Sequence, residues 1–482
     1  MKDLKNTELL KHGSFINGQW QTSDDNFPVI NPATNEVISK VAEATAEQVE
    51  QAITAANTAQ SLWQAKTSYE RAAKLQRWAA LINEHKDDLA LIMTREQGKT
   101  LADASGEIAY GKSFIDWFAE EAKRVYGDTI SQHVDNKMIS VIKQPVGVVA
   151  AITPWNFPTA MITRKAAAAL AAGCTIVIKP ASETPYSALA LAVLAKQAGI
   201  PDGVFNIVVG KDSRSIGEQL TQHSLVKKFT FTGSTKVGKL LNKQCAESIK
   251  KVSLELGGNA PFIVYDDADI SLAVKALVDA KLRNCGQTCI SPNRIYLHRP
   301  IADAFKKQLV ASLEKITQGN GEAAESDIAC LIHQEAAENV HKLVESAKAD
   351  GGKILLGGLS QSPDSSFYPI TVIDNVNHSS DITQCEIFGP VFSLITFDEP
   401  EQVITQANDT EFGLASYVFS QNINRLQETT MALDYGMIGV NDTAISHPIA
   451  PFGGIKHSGF GKEGSKYGLD DYLIIKAITY GF

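Results

Sequence analysis

The stretch VGVVAAITPWNFPTAMITRKAAAALAAGCTIVIKPAS, residues 146–182, decides the fold. Two short apolar runs, VGVVAAI (146–152) and CTIVI (174–178), enclose a segment of helical spacing near 159–172. The same alternation continues through FNIVV (205–209), KFTF (228–231) and KVSLEL (251–256), with helical segments near 184–198, 213–222 and 235–246. Short apolar strands alternating with helices predict an α/β fold built on a parallel, doubly wound sheet. Such sheets take ligands at the C-terminal ends of their strands. That rule picks out TPWNFP, KPAS, TGST and ELGG.

Working outward, a second α/β series follows Pro261: FIVY, a helix through 268–282, a strand at 293–298 and further units to about residue 440. Before the decisive stretch, FINGQW and VINPATNEVI (within 15–42) read as strands broken at Asn-Gly and Asn-Pro turns. Thr45-Ala-Glu-Gln48 and Thr67-Ser-Tyr-Glu70 fit capping boxes for amphipathic helices, and a further helix spans roughly 101–124. Residues 126–143 are polar and β-inclined with little core-forming surface; they read as an extended arm that needs a partner, hence an oligomer contact. The tail, YLIIKAITY, reads as another strand.

At 482 residues the chain is too long for one core and implies two or three domains. Apolar residues make up 44% and charged residues 21%, as in soluble enzymes. A net charge of −9 with no charged tail gives no footing for nucleic acid or anionic membranes. The N-terminal MKDLKNTELLKHG has no apolar core of a secretory signal, and the longest apolar run, 166–178, is too short to cross a bilayer. The expectation is a cytoplasmic protein. Six cysteines without regular spacing suggest reduced thiols, and no CxxC pair offers a zinc site.

Five places in the chain have chemical potential. Cys289 lies in GQTC on a turn where its sulfur can be exposed, so it is a candidate nucleophile if its thiolate is stabilised; the plain alternative is a small packed cysteine. Glu255, at a strand end running into paired glycines, is a candidate general base, or else an ordinary ion-paired glutamate. Asn156, in a stiff Pro-rich turn, can donate to a developing oxyanion or simply form the turn. GSTKVG (233–238) opens a helix whose N–H groups can face a phosphate, although it is not GxGxxG. Lys179 and Ser182 of KPAS follow a strand end, where a lysine can hold a ribose; a serine at such a place removes the repulsion an acid would exert on a 2′-phosphate.

TPWNFP, KPAS, FTGST, LELGG, GQTC and EIFGP occur in the order and spacing of the aldehyde dehydrogenase superfamily, which the chain resembles over about residues 14–480. The resemblance implies that Cys289 is the nucleophile, Asn156 the oxyanion donor and Glu255 the base, with no metal. It implies a cofactor site lined by Trp155, Asn156, Lys179, Pro180, Ala181, Ser182, Gly233, Ser234 and Leu256, with Glu386 on the nicotinamide ribose beside Phe388. Residues 1–125 and 146–255 would form the dinucleotide-binding domain, 256–440 the catalytic domain, and 126–145 with 441–482 the oligomerisation arm and C-terminal segment of a homo-dimer or tetramer.

PWNFPTAMITRK, RNCGQTC and GKEGSKYGLDDYL resemble the succinate-semialdehyde dehydrogenase branch, in which two arginines and a serine hold the substrate carboxylate. Carried onto this chain they are Arg164, Arg283 and Ser465, a geometry suited to clamping a carboxylate. Glutarate semialdehyde, one methylene longer, is the alternative substrate, and CoA-acylating chemistry is disfavoured by Glu255. Ser182 implies NADP as preferred cofactor, with NAD possible. One departure stands out: Ser291 occupies the place where some members carry a second cysteine, so that disulfide switch is absent, and Cys285 is expected to be packed rather than a substitute.

Overall fold

The computed structural model describes residues 3–359 and 365–482. Its first sheet has eight strands in the order Gly459–Phe460, Lys251–Glu255, Val226–Thr232, Val148–Ile152, Thr175–Lys179, Phe205–Ile207, Ser14–Ile16 and Gln19–Gln21. The central five are parallel, and only the flanking strands run antiparallel. Helices Ala160–Ala172, Pro185–Gln197, Ser213–Gln222 and Thr235–Ala246 connect them. The 160–172 helix is buried along its whole length, which explains its alanine-rich sequence: only small side chains let neighbouring helices and the sheet approach from every side.

The second sheet has seven strands, ordered Lys353–Leu356, Thr371–Asp374, Val391–Phe397, Pro292–His298, Ala260–Val264, Ala415–Phe419 and Met437–Val440. It has its own core, centred on Phe262, Ile295, Leu297, Phe392 and Val418. The chain crosses from the first sheet to the second over only four residues, 256–259, so the C-terminal end of the 251–255 strand is tied directly to the second sheet.

Both capping boxes form, with Thr45 and Gln48, and Thr67 and Glu70, exchanging side-chain and backbone hydrogen bonds. The arm is a three-stranded sheet: Lys137–Pro145 lies between Asp128–Ile130 and the tail strand Leu473–Gly481. Ile475 is 73% exposed and Phe482 81% exposed, so the arm presents apolar surface to solvent. The rest of 441–482 is not arm. Its 459–460 strand joins the edge of the first sheet beside Leu254 and Glu255, a pairing too short and too distant in sequence to show as periodicity. Among the described residues no helix is long and apolar enough to cross a membrane.

Candidate active site

Cys289 sits on a turn closed by the Ser291 N–H donating to Thr288 O, and the Tyr417 hydroxyl fixes the next carbonyl, that of Ile290, at 2.7 Å. The loop that delivers it is strained: Asn284 (φ 52°) and Cys285 (φ 56°) are consecutive left-handed residues, each costing about 1–3 kcal/mol unless held. Asn284 is held three ways. Its N–H donates to Asp103 Oδ2 (3.0 Å), and its Nδ2 donates to the carbonyls of Asn156 (2.9 Å) and Gln287 (3.2 Å). Gly286 follows at φ 79°, where a Cβ would stand 2.3 Å from Gly389 O. The sequence NCGQ is therefore the shape of the turn.

Asn156 lies across the same loop, its Nδ2 donating to Gln287 O at 3.1 Å while its Oδ1 has no partner. Behind it a buried ion pair sets the backbone. Lys99 Nζ donates to Glu107 Oε2 (2.6 Å) and Asn156 O (2.8 Å) and lies 4.2 Å over the Phe157 ring. Glu107 Oε1 accepts from the N–H groups of Thr159 and Ala160, at the start of the 160–172 helix. Neither Lys99 nor Glu107 was singled out from sequence.

Glu255 ends its strand with both carboxylate oxygens buried and without a hydrogen-bond partner. Burial, then the neighbouring charge of Glu463, raises its pKa well above the usual carboxylate range, against the pull of Arg164, Lys165 and Lys462. The backbone of Gly453 lies against it, since a Cβ there would be 2.7 Å from Glu255 Oε1. Gly257 and Gly258 make the crossing possible: a Cβ on Gly258 would meet Cys289 O at 2.2 Å, and one on Gly257 would meet Glu386 Oε2 at 3.1 Å. Glu386 is half-buried, accepts from Gly258 N at 3.2 Å, and is pushed up to about 7 by burial. Burial also pushes the Cys289 thiol up to about 12, with Glu386 adding to the rise and Arg164 opposing it.

At the strand ends of the first sheet, Lys179 Nζ is buried against Pro180 O (3.2 Å), Ala181 continues the loop, and the Ser182 hydroxyl donates to Glu183 Oε2 (3.2 Å). Ser234 caps the 235–246 helix through Val237 N, and Gly233 N donates to Glu255 O (3.1 Å). Leu256 packs on Gly238, bringing that helix close to the sheet. Trp155 and Phe388 meet edge to face at 5.6 Å.

A narrow cleft leads to Cys289 and is lined by Tyr110, Phe157, Arg164, Arg283, Ser446 and Phe452, among others. Arg283 stacks over Phe157 (4.7 Å) and Tyr110 (5.5 Å) and pairs with no carboxylate among the described residues. Arg164 lies 4.0 Å from the Phe452 ring and contacts Glu463 Oε2 at 2.6 Å. The serine corrects the expectation from sequence. Ser465 does not line the cleft: it occupies a left-handed turn (φ 49°), its N–H bound to Pro448 O and its hydroxyl accepting from Tyr467 N at 3.1 Å. Ser446 lines it instead, hydrogen-bonded to the Tyr110 hydroxyl. The available signal was TAISHP, the loop that follows the last strand of the second sheet. Cys285 is packed, its thiol facing Ala329 O.

A parallel sheet with a capped helix at its strand ends, tied to a second sheet that carries a cysteine turn, defines a dinucleotide-dependent oxidoreductase of the thiol type. The aldehyde dehydrogenase family model matches residues 20–478, and the chain belongs to that family: it is an NAD(P)-dependent aldehyde dehydrogenase. It is 51% identical to a glutarate-semialdehyde dehydrogenase of Pseudomonas putida, covering 98% of both chains. It is 48% identical to the NADP(+) succinate-semialdehyde dehydrogenase of Escherichia coli, covering 99% of both. A crystal structure of a succinate-semialdehyde dehydrogenase from Burkholderia pseudomallei superposes with a TM-score of 0.98 at 48% identity over the full length of each chain.

Proposed function

We propose that the enzyme oxidises a short semialdehyde bearing a carboxylate at its far end, succinate semialdehyde first and glutarate semialdehyde as the second reading, with NADP preferred over NAD. The observation that carries this is the sharing of one cleft by Cys289, Arg164, Arg283 and Ser446. Two cations and a hydroxyl facing a nucleophile suit a substrate with an aldehyde at one end and an anion at the other. The Pseudomonas putida relative favours keeping the glutarate reading, because one methylene shifts binding by only about 1–3 kcal/mol.

The residues present fit a nicotinamide dinucleotide. The half-buried Glu386 carboxylate, with a single hydrogen bond, suits a ribose diol; the N-terminus of the 235–246 helix suits a pyrophosphate; Lys179 and Ser182 suit the second ribose. When bound, NAD(P) would supply the hydride acceptor and a positive charge that favours the thiolate. Cys289 adds through its thiolate to the aldehyde carbonyl, giving a thiohemiacetal whose oxyanion is stabilised by Asn156 Nδ2 and the Cys289 N–H. Oxidation leaves a thioester on Cys289. Glu255, kept basic by its dry surroundings, takes a proton from water as that water attacks the thioester carbonyl, and collapse of the tetrahedral intermediate breaks the C–S bond, expelling the Cys289 thiolate and leaving the acid product.

The arm formed by 128–130, 137–145 and 473–481 supports assembly into a homo-dimer or tetramer, because Ile475 on its tail strand and Phe482 just past it otherwise remain in water. Initial rates with succinate semialdehyde, glutarate semialdehyde and butanal, each with NADP and NAD, test the substrate reading. The expected kcat/KM for the anionic aldehydes exceeds that for butanal by about 10²-fold or more; equal values refute it.

A further inference from the structure

The two arginines of the cleft are not equivalent. Arg283 has aromatic neighbours and no counter-ion among the described residues. Arg164, fully buried, touches Glu463 Oε2 at 2.6 Å, yet the contact is not aligned as a hydrogen bond, and Arg164 Nε and Nη2 remain without hydrogen-bond partners. The other Glu463 oxygen accepts from Lys165 Nζ, which also reaches Thr230 Oγ1 at 3.2 Å. An arginine with a carboxylate this close offers an incoming anion much less than a full charge.

We propose that Glu463 is a specificity-determining residue: as counter-ion to Arg164 it leaves Arg283 as the principal anchor for the anionic end of the substrate, and so limits how strongly the cleft prefers charged over uncharged aldehydes. The proposal rests on the carboxylate-bearing substrate read above. It assigns Glu463 no contact with the reacting atoms.

The charge balance of the buried cluster supports it. Carboxylates Glu255 and Glu463 face Arg164, Lys165 and Lys462, with Tyr472, Tyr110 and the Cys289 thiol as further titratable neighbours. Glu463 offsets one of the three positive charges and lies directly on Arg164, so an anion arriving beside Arg164 gains less from it than from the unpaired Arg283. Removing the charge at 463 enlarges the excess of cations beside the cleft and frees Arg164 of its counter-ion. The same charge acts on the base: it adds to burial in keeping Glu255 protonated to higher pH.

The test compares succinate semialdehyde with butanal in four variants of the full-length enzyme. Glu463→Gln keeps the shape and removes the charge; its ratio of kcat/KM for the anionic over the uncharged aldehyde is expected to rise about tenfold, with the change in KM. The acid limb of kcat is expected at lower pH than in the wild type, and Glu463→Asp should restore both wild-type readings. A purely packing role lowers kcat for both aldehydes together and moves neither ratio nor limb, which would overturn the proposal. Should Glu463→Gln not fold, the arginines decide: Arg283→Gln must raise KM for succinate semialdehyde more than Arg164→Gln, and the reverse order overturns the proposal. If neither arginine variant changes the preference for the anion, the carboxylate reading itself falls, separately from the role of Glu463.

Discussion

Two buried clusters of carboxylate and cation flank the cysteine loop, and they are built in opposite ways. In the Lys99–Glu107 pair both Glu107 oxygens are occupied, and Lys99 holds a carboxylate, a carbonyl and an aromatic face at once. In the Glu255–Glu463–Arg164–Lys165 cluster Glu255 has no hydrogen bond and Arg164 keeps unpartnered N–H groups. A satisfied buried network rigidifies, whereas an unsatisfied one stores proton affinity and binding capacity. The first fixes the backbone of Asn156 and the start of a helix; the second is left free to act on something that enters the cleft.

The sharpest break of this comparison is at Glu255. Glu255→Gln should lower steady-state kcat by about 10³-fold while the first turnover still releases a burst of NAD(P)H, because oxidation precedes the step that needs the base. Stopped-flow absorbance separates the two phases; loss of the burst along with the steady state would assign Glu255 to an earlier step. In the proposed mechanism the working form of Glu255 is the carboxylate, which exists above its pKa. Since burial and Glu463 raise that pKa, kcat should fall on acidification along a limb lying above the usual carboxylate range. A limb in the ordinary range would contradict the buried, unpaired state.

The satisfied pair predicts a loss of stability. Lys99→Met leaves Glu107 as an uncompensated buried charge and should destabilise the fold by about 3–5 kcal/mol, seen as a lowered thermal midpoint. A midpoint unchanged from the wild type would remove the scaffold role. The smallest effect belongs to the same measurement on Glu255→Gln. Taking away a buried carboxyl that makes no hydrogen bond should leave stability within about 1 kcal/mol of the wild type, or increase it. A loss as large as that of Lys99→Met would erase the contrast between the clusters.

How much of this was legible in the sequence depends on range. The 213–222 and 235–246 helices appear at the residues their apolar spacing gives, and the parallel strands fall within a residue or two, because local periodicity and caps determine both. Motif resemblance pointed to Cys289, Arg164 and Arg283, which the fold brings to one cleft. It failed at Ser465, because KEGSKYG reads as a motif while its serine is consumed by its own turn. The Arg164–Glu463 contact was invisible for a different reason. Lys165 and Glu463 are 298 positions apart, and nothing in either segment records that the C-terminal chain folds back beside the 251–255 strand. The left-handed pair Asn284–Cys285 was hidden too, since neither residue demands that conformation without Asp103 and Asn156 to hold it.

The central claim is that the acyl group is carried by Cys289 and released by Glu255. Mixing Glu255→Gln with succinate semialdehyde and NADP, quenching in acid and mapping the peptides by mass spectrometry tests it directly. A succinyl thioester is expected on Cys289 in nearly every molecule and none in the double variant with Cys289→Ala; an unmodified Cys289, or the acyl group on another residue, would contradict these roles.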